Sequence, residues 1–371
     1  MPPTKTSDLR QLAGQTIIMG FDGTEMSDRV RKRLAEIQPS GVILFARNIV
    51  GIQQTHTLLR ACRDLVETAP FLCVDMEGGL VDRLKNVVAP APAVESVATS
   101  GDPKLFRKHG RIIGDTVRAL GFNADFAPVF DLGLQNSKKV LGSRTASADP
   151  AEVIEYAREF LRGLKAAGVL GCGKHFPGLG EANLDTHREL PAIQKSWKQL
   201  WEQDLLPYRK LRDEVPFVMV AHAAYPAVTR DNKPASLSRK WMEEILRKKI
   251  GYRGLIISDD LDMGGVLATA SVADAAVETL RAGADIFLVC QKEENASRTY
   301  EAVLQQAERD SRFAQRVKEA ARRVLAFKKK AREVKRQSSP PSEQVLERLR
   351  RQLWELGEQV RLEGMAAEVR L

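Results

Sequence analysis

Ionisable and nucleophilic side chains gather at a few points of this 371-residue chain, each just after a run of apolar residues. One run ends in Val74-Asp75-Met76-Glu77-Gly78-Gly79, another at Asp131, and another in Lys174-His175-Phe176-Pro177-Gly178. Two more end in Ala221-His222-Ala223 and Ser258-Asp259-Asp260. Carboxylates and imidazoles together can attack an electrophilic carbon, move protons or hold a metal ion. Asp259 and Asp260 are adjacent, and side chains alternate across a strand, so only one of them is expected to face a shared site. Sequence parity leaves open which one. Asp185-Thr-His187 follows Gly178 by seven residues. By itself this tripeptide reads as a polar surface loop. His222 by itself reads equally well as a structural hydrogen bond or a substrate contact. His56 and His109 fall in helical stretches and are expected at the surface.

The apolar runs occupy residues 16–21, 41–46, 70–75, 121–132, 169–176, 216–223, 254–259 and 284–290. They are near-continuous in Val, Ile, Leu and Phe, as strands buried on both faces are. Helical periodicity fills the intervals at 53–68, 103–120, 150–167, 197–213, 239–249 and 272–282. Asp102-Pro103 and Asp149-Pro150 each set a capping acid before a proline, and Gly168 and Gly283 follow helices as C-terminal caps do. Strands alternating with helices in this number predict an α/β chain, a (β/α)8 barrel over residues 1–330. No G-x-G-x-x-G follows the first strand to favour an open doubly wound sheet. A helical C-terminal extension is expected over residues 331–371. Residues 301–335 read as one long helical segment, Ser338-Ser339-Pro340-Pro341-Ser342 breaks it, and a second helix follows at about 343–360. In such a barrel the catalytic groups sit at the C-terminal strand ends, where these polar residues fall.

The ordered set of segments resembles glycoside hydrolase family 3, in particular its single-barrel bacterial β-N-acetylglucosaminidases (β-hexosaminidases) of peptidoglycan recycling. The segments are Gly41-Val-Ile-Leu-Phe-Ala-Arg-Asn48, Val74-Asp-Met-Glu-Gly-Gly79 with Arg83, Phe126-Ala-Pro-Val-Phe-Asp-Leu132, Gly142-Ser-Arg144, Lys174-His-Phe-Pro-Gly178, Asp185-Thr-His187 and Ser258-Asp-Asp-Leu-Asp-Met263. They span roughly residues 10–330. The resemblance implies retaining hydrolysis of terminal β-linked N-acetylglucosamine through a covalent glycosyl-enzyme on Asp259. It implies His187 as acid/base, oriented by Asp185, and Asp75, Arg83, Arg144, Lys174 and His175 around the terminal sugar, with His222 near the site. Muropeptides derived from peptidoglycan, or chitooligosaccharides, are the implied substrates. This chemistry is sound: an imidazole with a reference pKa of roughly 6.5 exchanges protons near neutral pH, and a carboxylate on one ring nitrogen fixes its tautomer. Asp75 and Arg83 suit sugar hydroxyls through charge-assisted hydrogen bonds.

Three positions depart from the family's pattern: Leu80 where arginine usually follows Gly-Gly, Ser143 where aspartate commonly precedes arginine, and Leu179 where histidine often follows Pro-Gly. About 40 residues remain after the barrel, too few for the second domain that supplies a carboxylic acid/base in other members. The alternatives are a β-N-acetylglucosaminide phosphorylase or β-glucosidase of the same family, and a metal-dependent barrel hydrolase drawing on His175, Asp185, His187, His222 and Asp259. No His-x-His ends the first strand, where Phe21-Asp22-Gly23 stands, and no metal or other cofactor is expected.

Composition narrows the classes further. The net charge of +9 is concentrated: residues 317–336 hold nine Lys/Arg against two Glu, so the basicity belongs to one segment and a nucleic-acid partner is not expected. Four widely spaced cysteines give no metal or redox pattern, and Cys73, Cys172 and Cys290 are expected as buried thiols of a reducing cytosol. The N-terminus offers no apolar signal region, and no apolar run is long enough to span a membrane. A cytoplasmic enzyme, monomeric or homodimeric, is the expectation.

Overall fold

The structure is a computed structural model that describes residues 5–186 and 188–368. Eight parallel strands form its centre: β1 (Ile17–Met19), β2 (Gly41–Ile43), β3 (Phe71–Val74), β6 (Ala124–Asp125), β7 (Cys172–Phe176), β8 (Phe217–Val220), β9 (Leu255–Asp260) and β10 (Ile286–Val289). A small antiparallel hairpin, β4 (Met76–Gly78) and β5 (Val81–Asp82), grows directly out of β3. Each of the eight expected strands is present. Hydrogen bonding runs β6-β3-β2-β1-β10-β9-β8-β7, and the parallel pairings Ala124–Leu170 and Val129–Lys174 join the two ends. The result is a nearly closed (β/α)8 barrel.

Alternation along the strands sets what faces the barrel axis. Ile18, Phe71, Cys73, Cys172, Phe217, Met219, Leu255 and Ile257 pack into one inner cluster. The intervening Ile17, Met19, Leu72, Val218 and Ile256 pack outward under the helices. The floor is closed by aromatic contacts. Phe71 and Phe217 meet edge to face at 5.1 Å, and Phe327 of helix Ser311–Lys330 lies 5.7 Å from Phe217. Beside it the buried Lys328 Nζ sits 5.0 Å from the Phe71 ring centroid and donates to Gln15 Oε1 at 3.0 Å. Burial pushes its pKa down to about 7. Arg247, Arg316 and Arg323 all converge on the buried Asp285. Arg323 and Lys328 thus bind part of the basic segment into the barrel's underside.

The helices follow their sequence signals. Asp102 accepts from Lys104 N and Asp149 from Ala151 N, each ahead of a proline. Gly168 and Gly283 end their helices at φ +78° and +119°, a region open to glycine at no steric cost. The long segment expected at 301–335 is instead three helices, Glu293–Arg309, Ser311–Lys330 and Arg332–Lys335. Asp310 breaks the first from the second by capping Arg312 N and Phe313 N. Helices Lys5–Gly14 and Asp28–Ile37 are additional to the expected set. The last helix runs Glu343–Glu368. Its buried Leu349, Leu353, Leu356 and Val360 join the same core as Leu105, Phe106 and Ile112 of helix Pro103–Ala119. The tail therefore packs onto the outer helices. Among the described residues no helix is long and apolar enough to cross a membrane. All four cysteines are buried free thiols, and burial pushes the Cys62 thiol up to about 12.

Two histidines expected at the surface are inside. His56 Nε2 donates to Ala119 O at 2.9 Å, and His109 is fully buried against Tyr156 Oη at 2.9 Å, beneath Gly78. Helical periodicity gave no sign of this, because both rings fill gaps between neighbouring helices and the barrel. Burial pushes His109 down to about 3 from 6.5. The unfolded chain therefore takes up this proton first. The group's contribution to stability is complete above about pH 6.5 and is lost as pH falls toward about 3. At pH 4 that loss is on the order of 3 kcal/mol. The Tm advantage of the wild type over His109→Gln should narrow steadily between pH 7 and pH 4 in calorimetry, and a constant gap would refute it.

Candidate active site

The inward rows of three strands run on into the barrel mouth. Phe71 and Cys73 lead to Asp75, Cys172 leads to Lys174, and Leu255 and Ile257 lead to Asp259. This register resolves the Asp259/Asp260 ambiguity: Asp259 has the parity of the inner cluster. All three residues line a cavity of about 280 Å³ whose floor is the top layer of the barrel, Ile43, Phe126, Met219 and Leu288.

Asp260 also borders this cavity, but it has the opposite parity and is held by the next strand. Its Oδ1 accepts from Cys290 N at 2.9 Å and Asp262 N at 3.1 Å. Burial, reinforced by the neighbouring Asp262, pushes its pKa up to about 7. The serine before the pair also has a local task, since Ser258 Oγ donates to Asp259 O and accepts from Leu288 N. Asp259 is half-exposed, with Oδ1 accepting from Asp260 N at 2.8 Å.

Opposite lies a charged cluster. Lys174 Nζ contacts Asp75 Oδ1 at 2.9 Å and Glu77 Oε1 at 2.6 Å. Arg144 grips Glu77 through two bonds, Nε to Oε2 at 2.8 Å and Nη2 to Oε1 at 2.9 Å. Burial alone would raise the Glu77 pKa, but Arg144 and Lys174 outweigh it and hold the carboxyl well below the usual range. Burial likewise opposes the charge on Lys174, and Asp75 and Glu77 raise its pKa above the usual value. The Lys174–His175 peptide bond is cis, and both side chains line the cavity. His175 Nδ1–H donates to Asp131 Oδ2 at 2.7 Å, which leaves Nε2 as an acceptor 3.4 Å from Arg144 Nη2. Asp131 also accepts from His175 N and Leu179 N. Arg83 lines the cavity with its guanidinium 5.8 Å from the Phe45 ring, and its Nε has no hydrogen-bond partner among the described residues.

The loop after β7 reaches the cavity as well, through Asp185 and Thr186; His187 lies outside the described residues. Arg188 N and Glu189 N both donate to Asp185 O, and Gly265 N donates to Thr186 O at 3.0 Å. The loop is thereby seated on the segment that follows Asp259. There is no room for a side chain between them. A Cβ on Gly265 would stand 2.8 Å from Thr186 O and 3.0 Å from Glu189 O. Gly265→Ala should lift the loop from the cavity wall and lower kcat about tenfold with little change in Tm, the scale on which misplacing a loop beside a reaction site acts. Steady-state kinetics beside a melting curve tests this, and an unchanged kcat counts against it.

His222 does not line the cavity. It is fully buried, with Nε2–H donating to Asp260 O at 2.9 Å and Nδ1 accepting from Ser236 Oγ at 2.6 Å. It braces the end of β9. With both ring nitrogens of His222 bonded within the protein, the metal-dependent alternative loses one of its donors.

A carboxylate facing a polar cradle from across a small, one-sided cavity is the layout of a site for a compact, hydroxyl-rich ligand. The family described as "Glycosyl hydrolase family 3 N terminal domain" matches residues 4–327. The chain belongs to glycoside hydrolase family 3. It is 36% identical over 289 residues to a protein named beta-hexosaminidase from Pseudomonas aeruginosa (strain LESB58), covering 78% of this chain and 86% of that one. A beta-hexosaminidase of Idiomarina loihiensis is 33% identical over 292 residues, 78% of this chain and 87% of that protein. Among solved structures, the family 3 beta-N-acetylglucosaminidase of Paenibacillus sp. str. FPU-7 is similar with a TM-score of 0.86 at 31% identity, over 94% of this chain and 68% of that one. Native NagZ from Neisseria gonorrhoeae is similar with a TM-score of 0.71 at 28% identity, over 84% and 97% of the two chains.

In this family 3 glycoside hydrolase, two strand-end residues to which the sequence assigned no role have a direct part in building the site. Glu77 ties Arg144 to Lys174, and Asp131 aims His175. Glu77 shares the strand parity of Asp75, a signal that was available. Its partner Arg144 is 67 positions away, and nothing local points to the pair. Glu77→Ala would leave two buried cations short of a counter-charge. It should cost about 3–5 kcal/mol of stability, as breaking a buried ion pair does, and weaken sugar binding. Chemical denaturation of the two proteins measures this, and a loss below about 1 kcal/mol would show the pair to be dispensable.

Proposed function

We propose that this enzyme hydrolyses terminal β-linked N-acetylglucosamine with retention of configuration. Asp259 attacks the anomeric carbon and forms a covalent glycosyl-enzyme, and the leaving oxygen takes its proton from His187, which Asp185 orients. His187 then accepts a proton from the incoming water as that water displaces Asp259. The observation that carries this reading is the pairing of Asp259 with the Asp75–Lys174–Glu77–Arg144 cluster across one cavity, with the Asp185–Thr186 loop on its wall. The cluster offers fixed donors and acceptors for sugar hydroxyls, and the Asp259 carboxylate lines the same cavity. Relatives named beta-hexosaminidase and beta-N-acetylglucosaminidase support the choice of sugar. We take the natural substrates to be muropeptides or chitooligosaccharides bearing that sugar, processed in the cytoplasm.

The test is release of 4-nitrophenol from the β-N-acetylglucosaminide and the β-glucoside, with and without chelator and phosphate, while the first-formed anomer is followed by NMR. Chelator-resistant release favouring the N-acetyl sugar, with the β-anomer formed first, is expected. An α-anomer first product would sink the retaining mechanism. Phosphate-dependent formation of a sugar 1-phosphate would convert the reading to phosphorolysis, and loss with chelator to metal dependence.

A further inference from the structure

We infer that Leu80 is a specificity-determining residue that selects leaving groups with an apolar face; this rests on the hydrolase reading above. Among the described residues six large hydrophobic side chains are exposed: Val50, Leu80, Leu184, Leu267, Trp354 and Leu362. Of these, only Leu80 lines the cavity, and it is 66% exposed. A scattered surface leucine needs no explanation, but one at the mouth of a polar site does.

Its placement is built by the fold. Gly78 pairs with Val81 in the β4–β5 hairpin, so Gly79 and Leu80 form the turn. Gly79 has φ +60°, which glycine adopts without strain, and a Cβ there would collide with Ala93. The turn throws Leu80 over the cavity toward the segment that carries Arg144. Its Cδ1 lies so close to Gly142 that a Cβ on that glycine would stand 2.9 Å away. Leu80 thus reaches from the hairpin bearing Glu77 toward the turn Gly142–Arg144, two segments that the Glu77–Arg144 ion pair also joins. Val81, Val140 and Leu141 continue the lining on this side.

The Asp75–Lys174–Glu77–Arg144 cluster makes one part of the cavity wall polar and buried, whereas Leu80 with Val81, Val140 and Leu141 makes an apolar part whose Leu80 side is exposed. The sugar hydroxyls belong at the first, so whatever is attached to the anomeric oxygen leaves past Leu80. An apolar lip favours a leaving group that covers it and offers nothing to the hydroxyls or charges of one that does not.

The measurement is kcat/KM for phenyl and for methyl β-N-acetylglucosaminides in wild type, Leu80→Ala and Leu80→Met, with the Ki of free N-acetylglucosamine as a gauge of the sugar end. The ratio of phenyl to methyl should fall about tenfold in Leu80→Ala, mostly through KM, and recover in Leu80→Met, whose side chain covers a similar area. The Ki for the free sugar should stay within about twofold, since that ligand carries no aglycone. An unchanged phenyl-to-methyl ratio, or a parallel loss in both glycosides and in the Ki, overturns the assignment to the leaving-group side while leaving the hydrolase reading intact. A wild type that hydrolyses neither glycoside and does not bind the free sugar overturns both.

Discussion

Asp259→Ala should lose at least about 10⁴-fold in kcat/KM, the scale on which removal of a nucleophile acts, while remaining folded. The fold is expected to tolerate it because Asp259 is half-exposed at a strand end and the strand itself is held by the neighbouring Ser258 and Asp260. With a 5-fluoro glycosyl fluoride of N-acetylglucosamine, the intermediate should accumulate, and mass spectrometry should find the sugar esterified to Asp259. In the alanine variant, added azide can enter the vacated position and attack from the same face. That single displacement should give the α-glycosyl azide. Label on Asp260 instead would overturn the assignment by register. Asp260 is the poorer candidate on physical grounds, since its carboxylate oxygens already accept hydrogen bonds and burial pushes its pKa up to about 7.

His187→Ala should lower kcat by about 10²–10⁴-fold, the range for loss of a general acid/base, and the loss should depend on the leaving group. 4-Nitrophenolate departs with little help, so cleavage of that substrate would proceed and the second step, which needs a base to activate water, would lag. The glycosyl-enzyme should accumulate as a burst. Azide needs no base, so it should restore turnover and give the β-azide by a second inversion. A variant with wild-type kcat on both activated and unactivated glycosides would remove His187 from the reaction. A loss equal for every leaving group, with no azide rescue, would assign it a structural part.

Much of this was legible in the sequence. Eight apolar runs became eight strands because parallel barrel strands are buried on both faces and must be apolar nearly throughout. The Asp-Pro starts and glycine ends of helices Pro103–Ala119, Pro150–Ala167 and Val272–Ala282 are local capping chemistry and needed no tertiary information. The polar residues at strand ends could be read as one site because the barrel gathers those ends on one face.

What only the tertiary structure decided are matters of register, depth and long-range pairing. Asp259 and Asp260 both border the cavity, but Asp259 alone of the two has the inner parity, because Leu255 and Ile257 pack inward and a strand's parity is set by what its apolar residues bury against. His56 and His109 are inside because two helices close over them, while periodicity reports a helix's own faces and not what stands opposite. His222 turned from a candidate contact into a brace once its hydrogen bonds to Ser236 and Asp260 were in place. Glu77 joined the site because Arg144, far along the chain, returns to it across the barrel mouth. Each of these depends on contacts between segments distant in sequence. A single chain read residue by residue carries the types that could make such contacts, but the geometry that selects among them exists only after the barrel has closed.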